Sequence, residues 1–171
     1  LLMNTLRSIS NYLYRNSDRV VVVTRSFKKE ISEKGISEEK IDVVPNGVDL
    51  NLFDPDQKVN SPIDGIDPDN KFIVSYVGTH GAAHGLKKVL EVAKDTESEE
   101  DIHFLFVGEG AKKGELVEKK EKMNLENVTF VDRQPKSKIP EILKLSDASL
   151  VVLKDREVFR TVIPSKMFES M

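Results

Sequence analysis

Three glycines, Gly78, Gly81 and Gly85, lie between a predicted strand and a predicted helix. The strand, residues 72–77, is mostly apolar and partly β-branched, as expected of a strand that is covered on both faces. A glycine-rich turn from a strand into a helix leaves backbone N–H groups bare at the helix N-terminus, and such groups bind anions, most often phosphate. The alternative is that the glycines only allow the strand and the helix to pack closely.

Polar side chains in the same turn could complete a phosphate site. Burying an anion without partners is costly, so positive charge or several donors are required. Thr79 and a protonated His84 could supply part of this. Near the end of the chain, Pro164 favours a helix start, which would leave the N–H groups of Ser165 and Lys166 free to meet phosphate.

The composition excludes several other classes of function. The chain has 171 residues, no cysteine and a net charge of −3. Disulfides and thiolate metal sites are therefore impossible, and the charge gives no reason to expect nucleic-acid binding. The histidines, three in number, are too scattered to indicate a metal centre. Because the first residues already follow an amphipathic pattern and the last ones look helical without a stop signal, we expect a piece of a longer protein.

The elements that carry these loops follow from the hydrophobic pattern. Strands are predicted at 19–24, 40–45, 72–77, 102–107, 127–131 and 148–153, and helices at 2–15, 26–33, 85–95, 112–122, 139–145 and after Pro164. From residue 72 onward strands and helices alternate, which predicts βαβ units and a parallel sheet. Ligands of such sheets bind beyond the carboxyl ends of the strands, where the loops at 78–85, 108–111, 132–136 and 154–164 lie.

Short motifs follow one another in a characteristic order. They are residues 18–24, 40–49, Phe53, 77–78 with 85–86, 106–110, 127–130, 139–140, 146–148 and 164–169. Together they resemble the GT-B glycosyltransferases of family 4, over nearly the whole chain from about residue 18. The resemblance implies an α/β fold with a Rossmann-like parallel sheet and flanking helices, part of a two-domain enzyme. Residues 1–50 would be the tail of the acceptor-side domain, 51–70 the interdomain linker, and 71–171 the truncated nucleotide-sugar-binding domain.

The resemblance also implies roles for individual residues. The diphosphate of a nucleotide-sugar donor would be held by Gly78, Thr79, Gly81, His84, Ser165 and Lys166. Glu169 would bind the ribose hydroxyls, Arg133 and Gln134 the base, and His80 and Thr161 the donor sugar. Catalytic residues stay unknown, and no cofactor or metal is implied. For His80, Arg133, Gln134 and Glu169 the alternative is an ordinary surface position.

The chain departs from the family pattern where the diphosphate is held. Family members commonly place an Arg and a Lys at the positions of Thr79 and His84, and a glutamate at the position of Thr161. We hypothesise that Arg160 and Lys166 supply the missing cations. Two solvated charges are the alternative.

The function implied by the resemblance is transfer of a sugar from a nucleotide-sugar donor to a glycan or lipid-linked acceptor, with retention, in polysaccharide biosynthesis. We expect a cytoplasmic protein, with room for peripheral association of the longer protein with the inner face of the membrane. The fragment alone is expected to be inactive. Two alternatives stay open: a GT-B sugar-nucleotide epimerase, and a non-catalytic Rossmann-like nucleotide-binding module, which the departures above favour.

Overall fold

The computed structural model describes residues 2–54, 63 and 66–171. The chain forms two compact units. The first comprises the chain up to Gly47 together with Arg156–Ile163, and the second comprises Val48–Asp155 together with Pro164–Met171. This division interrupts the predicted 71–171 domain, because Arg156–Ile163 groups with the first unit. Half of the predicted linker, residues 55–62, 64 and 65, lies outside the described residues.

The first unit is built on two short parallel strands. Its elements are α1 (Leu2–Asn16), β1 (Val20–Val22), α2 (Arg25–Ser32) and β2 (Ile41–Val43). β1 pairs with β2 in parallel. The Thr24 side chain caps α2 by accepting a hydrogen bond of 3.1 Å from the amide of Phe27, which satisfies one of the free N–H groups at that end. A small apolar core lies between the strands and α2 and consists of Val20, Val22, Ile31, Ile36 and Ile41.

The second unit contains the predicted parallel sheet. Its elements are β3 (Phe72–Val77), α3 (Leu86–Asp95), β4 (Ile102–Val107), α4 (Lys113–Met123), β5 (Val128–Val131), α5 (Ile139–Lys144), β6 (Ala148–Ser149) and α6 (Lys166–Glu169). The strand order is β5-β4-β3-β6, and every pairing is parallel. Val77 pairs in register with Val107, and Val107 with Val131, so β3, β4 and β5 end level with one another. The loops that follow them therefore meet at one edge of the sheet.

Side chains alternate between the two faces of the sheet, as strand geometry requires. Phe104 and Phe106 of β4 pack with α3 and α4 on one face, whereas Leu105 and Val107 pack with Ile142 of α5 on the other. The predicted apolar stripe of α3 is buried throughout, and it consists of Leu86, Val89, Leu90 and Ala93. The α/β fold with a parallel sheet and flanking helices is thus confirmed.

Several elements are shorter than predicted, including β1 and β2, and β6 differs most from its predicted end. β6 ends at Ser149 although the apolar run continues to Leu153, because the chain leaves the sheet after the Leu150 amide bonds to the Ser75 carbonyl. The chain then approaches the β3–α3 loop, where the amide of Lys154 donates to the carbonyl of Ala83. α6 has a single turn of 4 residues. In the part of the chain that the structure describes, no helix combines the length and apolarity needed to cross a membrane.

Candidate functional site

A cavity of about 500 Å³ opens beyond the carboxyl ends of β3, β4 and β5. Its walls are the loops after these three strands and the start of α6, so it occupies the edge where parallel α/β sheets bind their ligands. The predicted site residues that line it are Gly78, Thr79, His84, Arg133, Gln134, Ser165, Lys166 and Glu169. Glu109 and Ile139 also line it and were not predicted.

Close contact between two loops forms the floor of the cavity. The amide of Gly78 bonds to the carbonyl of Val107 at 2.9 Å, and the amide of Gly108 bonds to that of Val131 at 3.0 Å, so strand pairing continues beyond the last strand residues. A Cβ on Gly108 would collide with the carbonyl of Gly78, and φ at Gly108 is +141°. Only glycine meets both conditions without strain.

The ammonium group of Lys166 is one of two side-chain cations among the described residues that line this cavity, the other being Arg133. It lies 3.9 Å from the centroid of the Tyr76 ring and has almost no exposed surface. Among the described residues it has no hydrogen-bond acceptor. Burial lowers the pKa of Lys166 to about 8, with Glu169 acting in the opposite direction. A buried cation without an acceptor is unfavourable on its own, and an anion in the cavity would relieve it.

Tyr76 links Lys166 to the loop after β3. Its ring is 1% exposed, and its hydroxyl donates a hydrogen bond of 2.8 Å to the carbonyl of Thr79. Burial raises the pKa of Tyr76, so the hydroxyl stays protonated. Tyr76 was not among the predicted site residues. A tyrosine in a fully buried strand is the signal that would have found it, because its hydroxyl must reach a polar partner.

His84 lines the cavity as a neutral imidazole. Burial lowers its pKa, and the charge of Lys166 lowers it further, against a backbone hydrogen bond to Val152 that raises it. The lowered pKa favours the neutral ring in the free protein, and the role of a protonated His84 at the diphosphate stays a prediction. The Nδ1 atom is buried and has no partner among the described residues. The ring N–H of the neutral imidazole is engaged by the carbonyl of Val152, so Nδ1 can donate to an oxyanion only when the ring takes up a proton.

His80 does not reach the cavity, which corrects its assignment to the donor sugar. Its side chain is 0% exposed and packs edge-on against Phe106 and Phe130. Burial lowers its pKa to about 4, with Lys113 and other nearby charges contributing. Gly81 is also displaced from the predicted site: it lines a separate cavity beside α3, and its amide donates to the carbonyl of Thr79.

The remaining predicted residues fall into two groups. Glu169 lies one turn from Lys166 on α6. Arg133 and Gln134 lie on the loop after β5, where the side-chain amide of Gln134 donates a hydrogen bond to the carbonyl of Asp132. Thr161 and Arg160 belong to the first unit, in which the carbonyl of Thr161 accepts a hydrogen bond from the hydroxyl of Thr24. Their roles at the donor stay predictions.

Lys113 connects the loops after β4 and β5 through ion pairs. The ammonium of Lys113 forms ion pairs with both Glu109 and Asp132, which follow β4 and β5. This arrangement holds Glu109 next to the cavity but engages its charge with a cation. Within the described ranges, no group of His, Asp and Glu side chains is arranged to hold a metal ion.

Comparison with known sequences identifies the family. Residues 1–52 match the family model described as Glycosyltransferase Family 4, and residues 58–163 match the model described as Glycosyl transferases group 1. An Escherichia coli (strain K12) protein named "Putative colanic acid biosynthesis glycosyl transferase WcaI" is 34% identical over 155 residues, which are 89% of this chain and 38% of that protein. The D-inositol 3-phosphate glycosyltransferase of Segniliparus rotundus is 28% identical over 143 residues, 79% of this chain and 32% of that protein.

Solved structures with the same fold are glycosyltransferases as well. Anabaena HepE, in a complex with UDP and glucose, matches with a TM-score of 0.72 and 20% identity over 96% of this chain and 46% of that chain. WaaG, a glycosyltransferase involved in lipopolysaccharide biosynthesis, matches with a TM-score of 0.71 and 15% identity over 89% of this chain and 41% of that one. The chain thus spans less than half the length of each of these proteins. Because the group 1 model matches more than half of the sequence, the chain belongs to the group 1 glycosyl transferases and has part of a GT-B fold.

Proposed function

We propose that the second unit is the donor side of a glycosyltransferase, which binds a nucleotide-sugar through its diphosphate. The longer protein then transfers the sugar, with retention, to a glycan or lipid-linked acceptor. The observation that carries the proposal is that Lys166 lines the cavity while its buried ammonium has no acceptor among the described residues. A diphosphate would provide the missing counter-charge.

The donor diphosphate would lie between the loop after β3 and the start of α6. Lys166 supplies the positive charge, and the hydroxyl of Thr79 supplies a hydrogen bond, with a second one from Nδ1 of His84 once that ring takes up a proton. The amides of Ser165 and Lys166 precede the first intrahelical donors of α6, Met167 and Phe168, so they remain available to phosphate oxygens. Donors fixed in this way stabilise the charge that develops on the nucleoside diphosphate as it leaves.

The other end of the donor would extend along the same edge of the sheet. Glu169 is one turn from Lys166 and can accept hydrogen bonds from the two ribose hydroxyls, while Arg133 and Gln134 border the part of the cavity available to the base. Because HepE has been solved in complex with UDP and glucose, UDP is the first probe. The cellular setting we propose is the cytoplasm, with peripheral association at the inner membrane face and a role in polysaccharide biosynthesis.

Calorimetric titration tests the donor site directly. The 171-residue chain is titrated with UDP, GDP, ADP and CDP at pH 7, and one of them is expected to bind. Replacement of Lys166 with Met should weaken that binding about tenfold or more, because a charge-assisted hydrogen bond contributes roughly 1.5–3 kcal/mol. The control is Lys122→Met, which removes an exposed lysine in the last turn of α4. Absence of binding for every nucleotide, or equal loss in both variants, would contradict the proposal.

The ribose contact has its own test. Glu169→Gln should weaken UDP binding about tenfold, since hydrogen bonds to a charged group are lost. It should not weaken the binding of inorganic pyrophosphate, which has no ribose and is repelled by the carboxylate. Glu126→Gln, an exposed substitution at the start of the β5 segment, is the control. Enzymatic transfer is tested separately on the longer protein, by release of nucleoside diphosphate from a nucleotide-sugar in the presence of acceptor.

A further inference from the structure

Tyr76 contacts both walls of the cavity without lining it. The face of its ring lies 3.9 Å from the ammonium of Lys166, on the α6 side. Its hydroxyl donates to the carbonyl of Thr79, on the side of the loop after β3. A Cβ on Gly78 would lie 2.6 Å from the Lys166 ammonium and 3.7 Å from the Tyr76 hydroxyl, so both groups pack beside the backbone of Gly78.

The ring is held in place by its own packing. Tyr76 belongs to the main core cluster of the second unit and is tilted against Phe106, with 6.3 Å between ring centroids. The imidazole of His84 lies 5.9 Å from the same ring. A buried and packed aromatic side chain has few rotamers available, so whatever its face attracts is also fixed in position.

A cation over an aromatic face is attracted by the ring quadrupole, most strongly where water is excluded. The side chain of Lys166 is long and flexible, and without the contact to the Tyr76 ring it would keep its rotamer freedom. We propose that Tyr76 is a positioning residue for the donor diphosphate: its ring fixes the ammonium of Lys166 at the cavity, and its hydroxyl fixes the Thr79 loop opposite. The inference rests on the proposed donor site.

The charge of Lys166 is therefore balanced between several groups. Burial lowers the pKa of Lys166, and Glu169 on the same helix raises it. The charge of Lys166 in turn lowers the pKa of His84 and of His80. The ring of Tyr76 adds an attraction that needs no negative charge, which leaves the ammonium available to a phosphate. A carboxylate at position 76 would instead have neutralised it.

The test replaces Tyr76 in the 171-residue chain with phenylalanine and then with phenylalanines carrying one, two and three ring fluorines, which weaken the quadrupole stepwise at nearly constant shape. The pKa of Lys166 is measured from the pH titration of its side-chain NMR signals, assigned with the Lys166→Met variant. We expect the pKa to fall in steps, by about one unit in total. The same fluorinated residues at Phe106, which is equally buried, provide the control and should leave the pKa of Lys166 unchanged.

The hydroxyl is tested by Tyr76→Phe alone. This variant keeps the ring but loses the bond to Thr79, and it should weaken nucleoside diphosphate binding roughly three- to tenfold with the pKa of Lys166 nearly constant. A pKa of Lys166 that does not follow the fluorine series would overturn the positioning role. Because that pKa is measured in the free protein, its outcome is independent of nucleotide binding, and a failure of the wild-type chain to bind any nucleotide would contradict only the donor site.

Discussion

The α-carbon of Gly108 faces the carbonyl oxygen of Gly78 so closely that no side chain fits between them. The contact joins the loop after β4 to the loop after β3, at the edge of the sheet where the cavity opens. Strand register brings these loops level, and the glycine permits the final approach. The shape of the candidate site therefore depends on a direct contact between the backbones of Gly108 and Gly78.

Gly108→Ala should destabilise the second unit by about 3 kcal/mol, the sum of overpacking and a positive φ. The comparison variant is Gly114→Ala in the first turn of α4, where an added Cβ meets no atom within 4 Å. That change should stabilise the helix by about 0.5–1 kcal/mol. Urea unfolding of both variants measures the difference, and a Gly108→Ala protein as stable as the wild type would show that the loops do not meet as described.

Lys166→Met should make the ligand-free protein more stable at pH 7. The pKa of Lys166 is lowered to about 8, so the unfolded chain binds this proton more tightly than the folded one between pH 8 and the ordinary lysine range. Below pH 8 the folded protein carries the full cost of a partly buried charge, and the cost is relieved as pH rises. After allowance for solvent screening, we expect a gain of about 1 kcal/mol at pH 7.

Chemical denaturation at pH 7 and pH 10 checks the sign of this effect. The advantage of Lys166→Met over the wild type should shrink at pH 10, because the wild-type lysine has by then lost its proton in the folded state. A variant that is less stable than the wild type at both pH values would indicate that Lys166 stabilises the fold and is not held ready for a ligand.

Affinity for a nucleotide-sugar should depend on pH through Lys166. The affinity is expected to be constant below pH 8 and to be about tenfold lower at pH 9, because most of the free protein must then take up a proton on binding. A nucleotide-sugar is the suitable ligand since its diphosphate does not titrate in this range. Lys166→Arg keeps its charge and should give a flat profile; an equal pH dependence in both proteins would exclude Lys166 as its source.

His80→Leu should stabilise the protein and leave nucleotide binding unchanged. Both ring nitrogens of His80 are buried without partners among the described residues, and an apolar side chain of similar volume avoids that cost, for a gain of about 1–2 kcal/mol. Since burial lowers the pKa of His80 to about 4, the wild type loses stability as pH falls from 6.5 to 4. The variant should lose less stability over that pH range, as measured by thermal unfolding. Weakened nucleotide binding by the variant would indicate that His80 contributes to the donor site.

The sequence predicted the sheet well because its strands are short apolar runs separated by amphipathic helices. Residues 102–107 form the predicted strand without a change of boundary. β6 was predicted too long, because apolarity at Leu150 and Val152 reflects packing against the core and not strand pairing. Periodicity reports burial, and it cannot distinguish a buried strand from a buried loop.

The site was predicted in part. His80 and His84 lie four residues apart in the same loop. His84 lines the cavity, whereas His80 packs against Phe106 and Phe130. Which of two neighbouring histidines turns inward depends on tertiary packing, which the local sequence does not contain. The same holds for Tyr76, whose importance follows only from the position of Lys166, 90 residues later in the chain.

The central claim is that the cavity beyond β3, β4 and β5 holds the diphosphate of a nucleotide. The most direct measurement is a titration of the isotope-labelled chain with UDP, and with the other nucleoside diphosphates, followed by backbone amide NMR signals. We expect the largest shifts at Gly78, Thr79, Gly108, Ser165 and Lys166, and we expect Lys166→Met to require about tenfold more nucleotide to reach the same shifts. Shifts confined to the separate cavity between α3 and α4, or no shifts with any nucleotide, would contradict the claim.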